Sequence, residues 1–425
     1  MPFQPRLERG RALHFCACRL PADIVPFPFN KGAIVKIVCS TNMPFAREAF
    51  GTLGETVVLP EREIRPEHVR NADILAVRST TKVNQALLDG SKIRFAGTAT
   101  IGYDHFDVPY LESRGIKWCT APGCNANSVA EYIISALLRL GHRHSISWQG
   151  KTFGVIGVGN VGSRVAKKAA ALGMRVLLND PPRQKAAAPE DKGGFTGLDD
   201  LLAESDVVTL HVPLTARGED KTLHMADSKF FGKARRGIVF INSARGPVTD
   251  NAALLQAISR GIVAHSVLDT WDPEPAFPED LLDHADIGTP HIAGHSFEGK
   301  VGGTVIVYRE ACRFLGIEPS WTPDNMMPPA AVPLLELDAA GKTNQEVLFE
   351  AVSRIYDIED DDRMLRAGAS GNPAERAAHF DRLRRNYRER REFMNTKIAL
   401  KSGSPALRMA LESLGFDILF RRQCD

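Results

Sequence analysis

The 425-residue sequence lacks the features that would set it apart from an ordinary water-borne globular protein. No uninterrupted apolar run approaches the roughly 20 residues of a membrane-spanning helix, so no membrane partner is expected. Charge of one sign is missing too: 53 basic residues stand against 51 acidic ones, a formal net charge of +2. That leaves no global attraction to nucleic acid. The seven cysteines (Cys16, Cys18, Cys39, Cys119, Cys124, Cys312 and Cys424) are odd in number, scattered and without a CxxC pair. This argues against a disulfide framework or a zinc site, and a reducing cytoplasm is the expected compartment. No metal is expected, and no internal repeat or low-complexity tract occurs.

The opening stretch lacks periodicity of either kind and carries Pro2, Pro5, Pro21, Pro26 and Pro28. Arginines at 6, 9, 11 and 19 and a short apolar patch do not match the core of a signal peptide. Residues 1–34 are read as a disordered extension or a misassigned start, since Val35 precedes a typical first strand and a GTG start codon is written as Val in an in-frame translation.

What is present from Val35 onward is an alternation of short apolar strands with amphipathic segments, the pattern of a parallel α/β sheet. Val35–Cys39, Thr56–Leu59, Ile74–Val77 and Arg94–Gly97 read as strands of a first unit. A long helix follows over Asn127–Leu140, with Ser128 as its cap, and then strands at Thr152–Ile156, Arg175–Leu178, Val207–Leu210, Ile238–Ile241 and Val263–Leu268. A helix over Ser296–Leu315 precedes a proline-marked linker (Pro319, Pro323, Pro328, Pro329, Pro333). The smaller region beyond it has helices expected over Glu346–Tyr356 and Ala374–Phe393. Three domains are the expectation.

Gly157-Val158-Gly159-Asn160-Val161-Gly162 is a GxGxxG motif. Alone it is a weak signal, but here a strand precedes it, a helix follows, and the next strand ends in Asp180. The first glycine permits a tight turn, the second lets backbone approach a pyrophosphate, and the third packs helix on strand. Asp180 would accept hydrogen bonds from ribose hydroxyls and repel a 2′-phosphate, so NAD is the expected cofactor; nearby Arg183 weakens that preference.

Three polar residues follow strand ends in the same unit. Arg245 lies in Asn242-Ser243-Ala244-Arg245-Gly246, Glu274 in Asp272-Pro273-Glu274-Pro275, and His291 in Thr289-Pro290-His291. Oxidising a secondary alcohol requires a base for its hydroxyl proton, and imidazole, with a pKa of about 6.5, suits that task. A carboxylate fixes the imidazole tautomer, and a guanidinium holds a substrate carboxylate through two parallel hydrogen bonds. Any one histidine is more often structural, and His142, His144, His284 and His379 are read that way. The three together, behind a full dinucleotide motif, point to a dehydrogenase of small 2-hydroxy acids.

At these motifs the sequence resembles the D-2-hydroxyacid dehydrogenase family. NMPFAREAF from Asn42, RSTTKVN from Arg78, GTATIGYDH from Gly97, APGCNA from Ala121, DPPR from Asp180, HIAGHSFEGK from His291 and NYRERREF from Asn386 extend the resemblance. They carry it from about Val35 into the C-terminal region, toward a branch that acts on a phosphorylated 2-hydroxy acid. The resemblance implies an α/β fold with a Rossmann-type NAD domain (126–289) inserted in a flavodoxin-like substrate domain (35–125 and 290–316). A small α+β dimerisation domain (317–425) would complete a homodimer. It implies substrate contacts at Ser79 and Thr100, and cofactor contacts at Asp180, Val212, Ser243, Ala244, Arg245, Asp269 and Gly294. His295 departs from the tyrosine usual at a further substrate position. Arg78, after the strand Ile74–Val77, could hold a phosphate or belong to an ordinary polar loop. Arg384, Arg385, Arg388, Arg390 and Arg391, read as one helix, would either reach a substrate phosphate across a subunit interface or form ion pairs. A 3-phosphoglycerate dehydrogenase and a non-enzymatic NAD-sensing corepressor are the rival readings.

Overall fold

A computed structural model describes residues 34–188 and 191–419 of the protein; the segment expected as an extension lies outside the described residues apart from Ile34. Ile74–Val77 is apolar and wholly buried, and Val207–Leu210 is wholly buried and apolar but for Thr209, as parallel strands covered on both faces must be. The first sheet has five parallel strands: β1 (Lys36–Ser40), β2 (Glu55–Leu59), β3 (Ile74–Val77), β4 (Phe95–Thr98) and β5 (Lys117–Cys119). Their order is β2-β1-β3-β4-β5, the flavodoxin-like order that the resemblance implies.

The second sheet has six parallel strands: β6 (Thr152–Ile156), β7 (Arg175–Asn179), β8 (Val207–Leu210), β9 (Ile238–Asn242), β10 (Val263–Leu268) and β11 (Ile287–Gly288). Their order, β11-β10-β9-β8-β6-β7, reverses between β6 and β8, which opens a crevice at the carboxyl ends of those two strands. A third sheet contains β12 (Leu334–Asp338), β13 (Lys397–Lys401) and β14 (Asp417–Leu419). All three strands are parallel, so this region is α/β and not the expected α+β. Helices between the strands provide the crossovers that parallel pairing demands.

Contacts divide the chain into two compact units. One comprises residues up to Cys124 with Gly302–Thr322; the other comprises Asn125–Val301 with residues from Pro323 onward. The C-terminal region, expected as a separate domain, thus joins the unit of the second sheet. The reason is a shared core: Ile133, Leu137, Val165 and Ala169 lie in one apolar cluster with Val347, Phe393, Leu407 and Leu411. Gln345 adds polar stitches, accepting from the Trp148 amide at 2.9 Å and donating to the Ile146 carbonyl at 2.7 Å.

Two helix readings change in detail. The long helix spans Ala126–His144, and Ser128 lies inside it rather than capping it. Its buried hydroxyl donates to the Ala293 carbonyl at 2.9 Å. The expected 374–393 helix ends at Arg385, so Arg388, Arg390 and Arg391 follow it in irregular chain, with Arg390 in an isolated bridge to Ser296.

Because the core is continuous, Leu411→Ala should lower the unfolding free energy by about 2–5 kcal/mol, the usual cost of a buried leucine side chain. Denaturant titration followed by the fluorescence of buried Trp148 should register the loss, although that tryptophan lies outside the C-terminal region. An unchanged midpoint would mean that the two parts unfold independently.

Candidate active site

The glycine motif sits at the crevice between β6 and β8. Gly157 has φ 88°, and a side chain there would lie 2.6 Å from the His211 carbonyl oxygen at the end of β8. At Gly162 a Cβ would come within 2.0 Å of the Gly157 carbonyl oxygen, which is the tight helix–strand contact expected of the third glycine. Gly159, by contrast, faces open space at the N-terminus of the helix Asn160–Ala171. Asn160 and Val161 form the first turn of that helix, whose unpaired amides and dipole favour an anion.

Asp180, at the end of β7, accepts from the Val158 amide at 2.8 Å and from the Arg183 amide at 3.0 Å, while the Arg183 guanidinium donates to the Val158 carbonyl. The acid therefore shapes the glycine loop as well as facing its rim. His211, next to Val212, is held neutral by burial, its pKa pushed down to about 3, so it adds no permanent charge there.

Arg245 follows β9 on a short loop that Asn242 organises. The Asn242 side chain donates to the Arg245 carbonyl and to Thr249 Oγ1, each at 3.0 Å, and accepts from the Ala244 amide at 3.0 Å. Gly246 lets this loop touch its neighbour, since a Cβ there would fall 1.8 Å from the Trp271 carbonyl oxygen. That contact brings Arg245 beside the loop carrying Glu274. Trp271 pins the same loop by donating its indole N–H to the Thr289 carbonyl at 2.9 Å. The Ser243 hydroxyl is buried at this edge without a hydrogen-bond partner, a donor left for a bound group.

Glu274 Oε2 accepts from His291 Nδ1 at 2.8 Å, and Oε1 accepts from the Trp271 amide at 2.9 Å. Burial alone would raise the Glu274 pKa. The charge and hydrogen bond of His291, the Trp271 amide and the charge of Arg384 outweigh burial and hold the carboxyl below its ordinary range. Because a carboxylate only accepts, Nδ1 carries the ring proton and Nε2 is left basic. His291 itself sits at φ 54°, a left-handed conformation that L-residues adopt only when their surroundings enforce it.

The enforcement comes from residues that sequence reasoning missed or assigned otherwise. Asp269, expected as a cofactor contact, is buried; its oxygens accept from Thr289 Oγ1 at 2.6 Å, the Ile292 amide at 2.8 Å and the Ala293 amide at 3.0 Å. Burial raises its pKa, opposed by the nearby His291 charge and by these bonds. Tyr132 holds Thr289 at 2.8 Å, and Arg390 donates to the Ala293 carbonyl at 2.6 Å. Gly294 lies against Asn125, and His295 packs edge-on to Tyr387 with ring centroids 5.7 Å apart. Arg388 pairs with buried Asp361 at 2.6 Å and Arg391 with Glu298 at 2.5 Å. Of the two expectations for the arginine cluster, these residues follow ion pairing, and Arg384 and Arg385 alone of the five lie on the helix.

In the first unit, Arg78 and Ser79 follow β3 and Thr100 follows the adjacent β4. The Arg78 guanidinium donates to the Ala99 carbonyl at 3.2 Å, and Ser79 is exposed. Thr100 Oγ1 donates to the Gly102 carbonyl at 2.8 Å and lies 2.7 Å from Thr98 Oγ1, which lies 3.0 Å from His105. Burial pushes the His105 pKa down to about 4, opposed by the Asp104 charge and aided to a lesser extent by that of Arg78.

These sites can be set beside known proteins. A family model described as the NAD binding domain of D-isomer specific 2-hydroxyacid dehydrogenases matches residues 136–293, and one described as a domain of unknown function (DUF3410) matches residues 326–415. Two solved structures share the fold over two thirds of this chain. A D-lactate dehydrogenase from Aquifex aeolicus, complexed with NAD and lactic acid, is 27% identical with a TM-score of 0.54, covering 66% of this chain and 95% of its own. An NAD⁺-bound 3-phosphoglycerate dehydrogenase from Entamoeba histolytica is 25% identical with a TM-score of 0.57, covering 67% and 96%. Fold and site thus define an NAD-dependent dehydrogenase of the D-2-hydroxyacid class. Among curated relatives, the erythronate-4-phosphate dehydrogenase of Cronobacter sakazakii is 44% identical over 383 residues, which is 90% of this chain and 98% of the relative. That of Klebsiella pneumoniae is 42% identical over 385 residues, with the same shares covered. The chain belongs to the erythronate-4-phosphate dehydrogenase family. Among the described residues, no helix is long and apolar enough to cross a membrane.

The Glu274–His291 pair makes a titration prediction. Glu274 has a depressed folded-state pKa, so its stabilising contribution is full above the unfolded carboxyl pKa and is lost as pH falls through the folded one. In His291→Asn the largest opposing charge is gone, so the Glu274 pKa should rise toward or above its ordinary value. NMR titration of the side-chain carboxyl should record an upward shift; an unmoved pKa would mean that the two residues are not coupled.

Proposed function

We propose that this protein oxidises 4-phospho-D-erythronate at C2 to 3-hydroxy-2-oxo-4-phosphooxybutanoate, a step toward pyridoxal 5′-phosphate. The observation that carries the reading is the 2.8 Å bond from His291 Nδ1 to Glu274, held beside the Arg245 loop. A protein that merely sensed NAD would have no use for a base oriented in this way. That feature weighs against a corepressor, and the family's named relatives weigh against 3-phosphoglycerate as substrate.

Arg245 would hold the substrate carboxylate with paired N–H donors and so place C2 and its hydroxyl near His291. His291 Nε2 takes the hydroxyl proton, and Glu274, kept ionised, stabilises the imidazolium that forms. Gly157, Gly159, Asn160, Val161 and Gly162 would receive the pyrophosphate of NAD, and Asp180 its ribose, with Val212, Ser243, Ala244, Asp269 and Gly294 lining the remainder. NAD supplies the acceptor for the hydride leaving C2. Asp269 serves chiefly by fixing the His291 loop, since its oxygens are engaged there. On the family resemblance, Ser79, Thr100, Arg78 and His295 are proposed substrate contacts.

We further propose a homodimer formed through the C-terminal region. There Leu334, Met364, Met394, Met409 and Leu419 stand exposed, half of the ten large apolar side chains exposed among the described residues. The reading implies a reducing cytoplasm, in which the buried free thiols of Cys39, Cys119, Cys124 and Cys312 persist.

An NADH-formation assay tests the activity. 4-Phospho-D-erythronate should be oxidised far faster than 3-phosphoglycerate or unphosphorylated erythronate, and equal rates would overturn the substrate assignment. His291→Asn should retain NAD binding and lose about 10²–10⁴-fold in turnover; near-normal turnover would remove His291 as the base.

Cofactor choice is tested separately. Asp180→Ala should weaken both NAD affinity and the preference for NAD over NADP, because the carboxylate shapes the glycine loop and repels a 2′-phosphate. Steady-state kinetics with both cofactors would show this; unchanged selectivity would place the discrimination elsewhere.

A further inference from the structure

Away from the catalytic edge, the second unit gathers two histidines and an aspartate that no part of the reaction uses. His144 is the last residue of the helix Ala126–His144, His265 lies near the start of β10, and Asp286 immediately precedes β11. Asp286 Oδ1 is approached by His144 Nε2 at 3.1 Å and by His265 Nδ1 at 2.9 Å, and the two rings lie 4.1 Å apart. One donor atom from each residue falls within 4.8 Å of the others. His265 is four residues before Asp269 on an extended strand, which places the cluster about 13 Å from the catalytic end of β10.

We propose that His144, His265 and Asp286 form a binding site for a divalent transition metal of the zinc class. In a tetrahedral zinc site, bonds of about 2.0–2.2 Å put neighbouring donor atoms roughly 3.3–3.5 Å apart. The two nitrogen–oxygen separations are within a few tenths of an ångström of that edge, and all three donor atoms lie within 4.8 Å of one another, so a ring rotation suffices to bring the nitrogens around one ion. Two imidazoles and one carboxylate suit zinc, nickel or copper, whereas magnesium and calcium require an all-oxygen shell. His144 is exposed, which leaves a solvent side for a water as fourth ligand.

The surroundings favour a cation. The site lies at the C-terminus of a 19-residue helix, where the dipole is negative. The second oxygen, Asp286 Oδ2, accepts from the Ser266 amide at 3.0 Å, which fixes the carboxylate so that Oδ1 faces the imidazoles. The nearby arginine charges are already balanced: Arg143, which donates to the Asp286 carbonyl at 2.9 Å, pairs with Glu359 at 2.7 Å, and Arg139 pairs with Asp357 at 2.8 Å. Without metal, each facing nitrogen carries a proton donated to the same carboxylate oxygen; metal binding requires each neutral ring to carry its proton on the other nitrogen, so that the facing nitrogen presents its lone pair. Such an ion would tie the end of the long helix to the lower edge of the sheet.

The test uses the full chain, freed of metal by chelation, with zinc alone as the probe. Equilibrium dialysis with elemental analysis should find one zinc per chain, and zinc should raise the melting temperature. His144→Ala and His265→Gln should each weaken zinc binding by at least about tenfold, since loss of a mere orienting partner costs about 10–100-fold. Both should retain wild-type NADH formation in the absence of zinc, because neither residue belongs to the catalytic machinery. Failure to take up zinc, undiminished uptake by the double variant, or an equal response to magnesium would overturn the proposal.

Discussion

Asp269 is buried, and its two oxygens accept three hydrogen bonds from the segment that carries His291. A carboxylate withdrawn from water needs such partners, because burying it without them is costly. The segment in turn has little freedom while it supplies them. This reciprocal requirement explains how His291 persists in a left-handed conformation, with its ring directed at Glu274. The Glu274–His291 pair rests on a carboxylate whose own oxygens are fully engaged with the backbone and with Thr289.

The same logic extends into the C-terminal region. Arg376 donates to the Phe277 carbonyl, Arg366 to the carbonyls of Leu282 and Ala285, Asp362 accepts from the Gly288 amide, and Arg390 donates to the Ala293 carbonyl. These contacts follow the chain from the end of the Glu274 loop to the end of the His291 loop. The C-terminal region therefore grips the backbone of the edge that carries Glu274 and His291. Charge-assisted hydrogen bonds of this kind are among the stronger polar contacts available, and breaking a buried one is correspondingly damaging.

Electrostatics at the site are arranged by burial as much as by pairing. Glu274 remains ionised because its partners outweigh its desolvation, while His211 and His105 are pushed toward the neutral form because theirs do not. The neutral imidazoles leave the positive charge of these regions to arginines: Arg183 at the glycine loop, Arg245 after β9, Arg384 near Glu274 and Arg78 after β3.

Much of this was legible in the linear sequence. The apolar runs located nine of the fourteen strands among the described residues to within a residue or two, because a parallel strand buried on both faces tolerates little else; the short β5 and β11 and the C-terminal β12–β14 carry no comparable run. The GxGxxG motif, Asp180, and the residues after β9 and β10 stood out because their chemistry is local: each follows a strand end within a few positions. Periodicity alone does not reveal that Arg388, Arg390 and Arg391 lie beyond the helix, in irregular chain whose partners Asp361, Ala293 and Glu298 are remote in sequence. The same distance hid the role of Asp269 in the His291 loop, the bracing of Ala293 by Ser128, and the meeting of His144 with Asp286, 142 positions away. Sequence alone determined the strands of the two larger sheets' interiors, the glycine loop and the candidate reacting groups, since these follow from local patterning. Tertiary structure decided which buried polar groups hold them in place, because each such group must find a partner wherever the folded chain provides one.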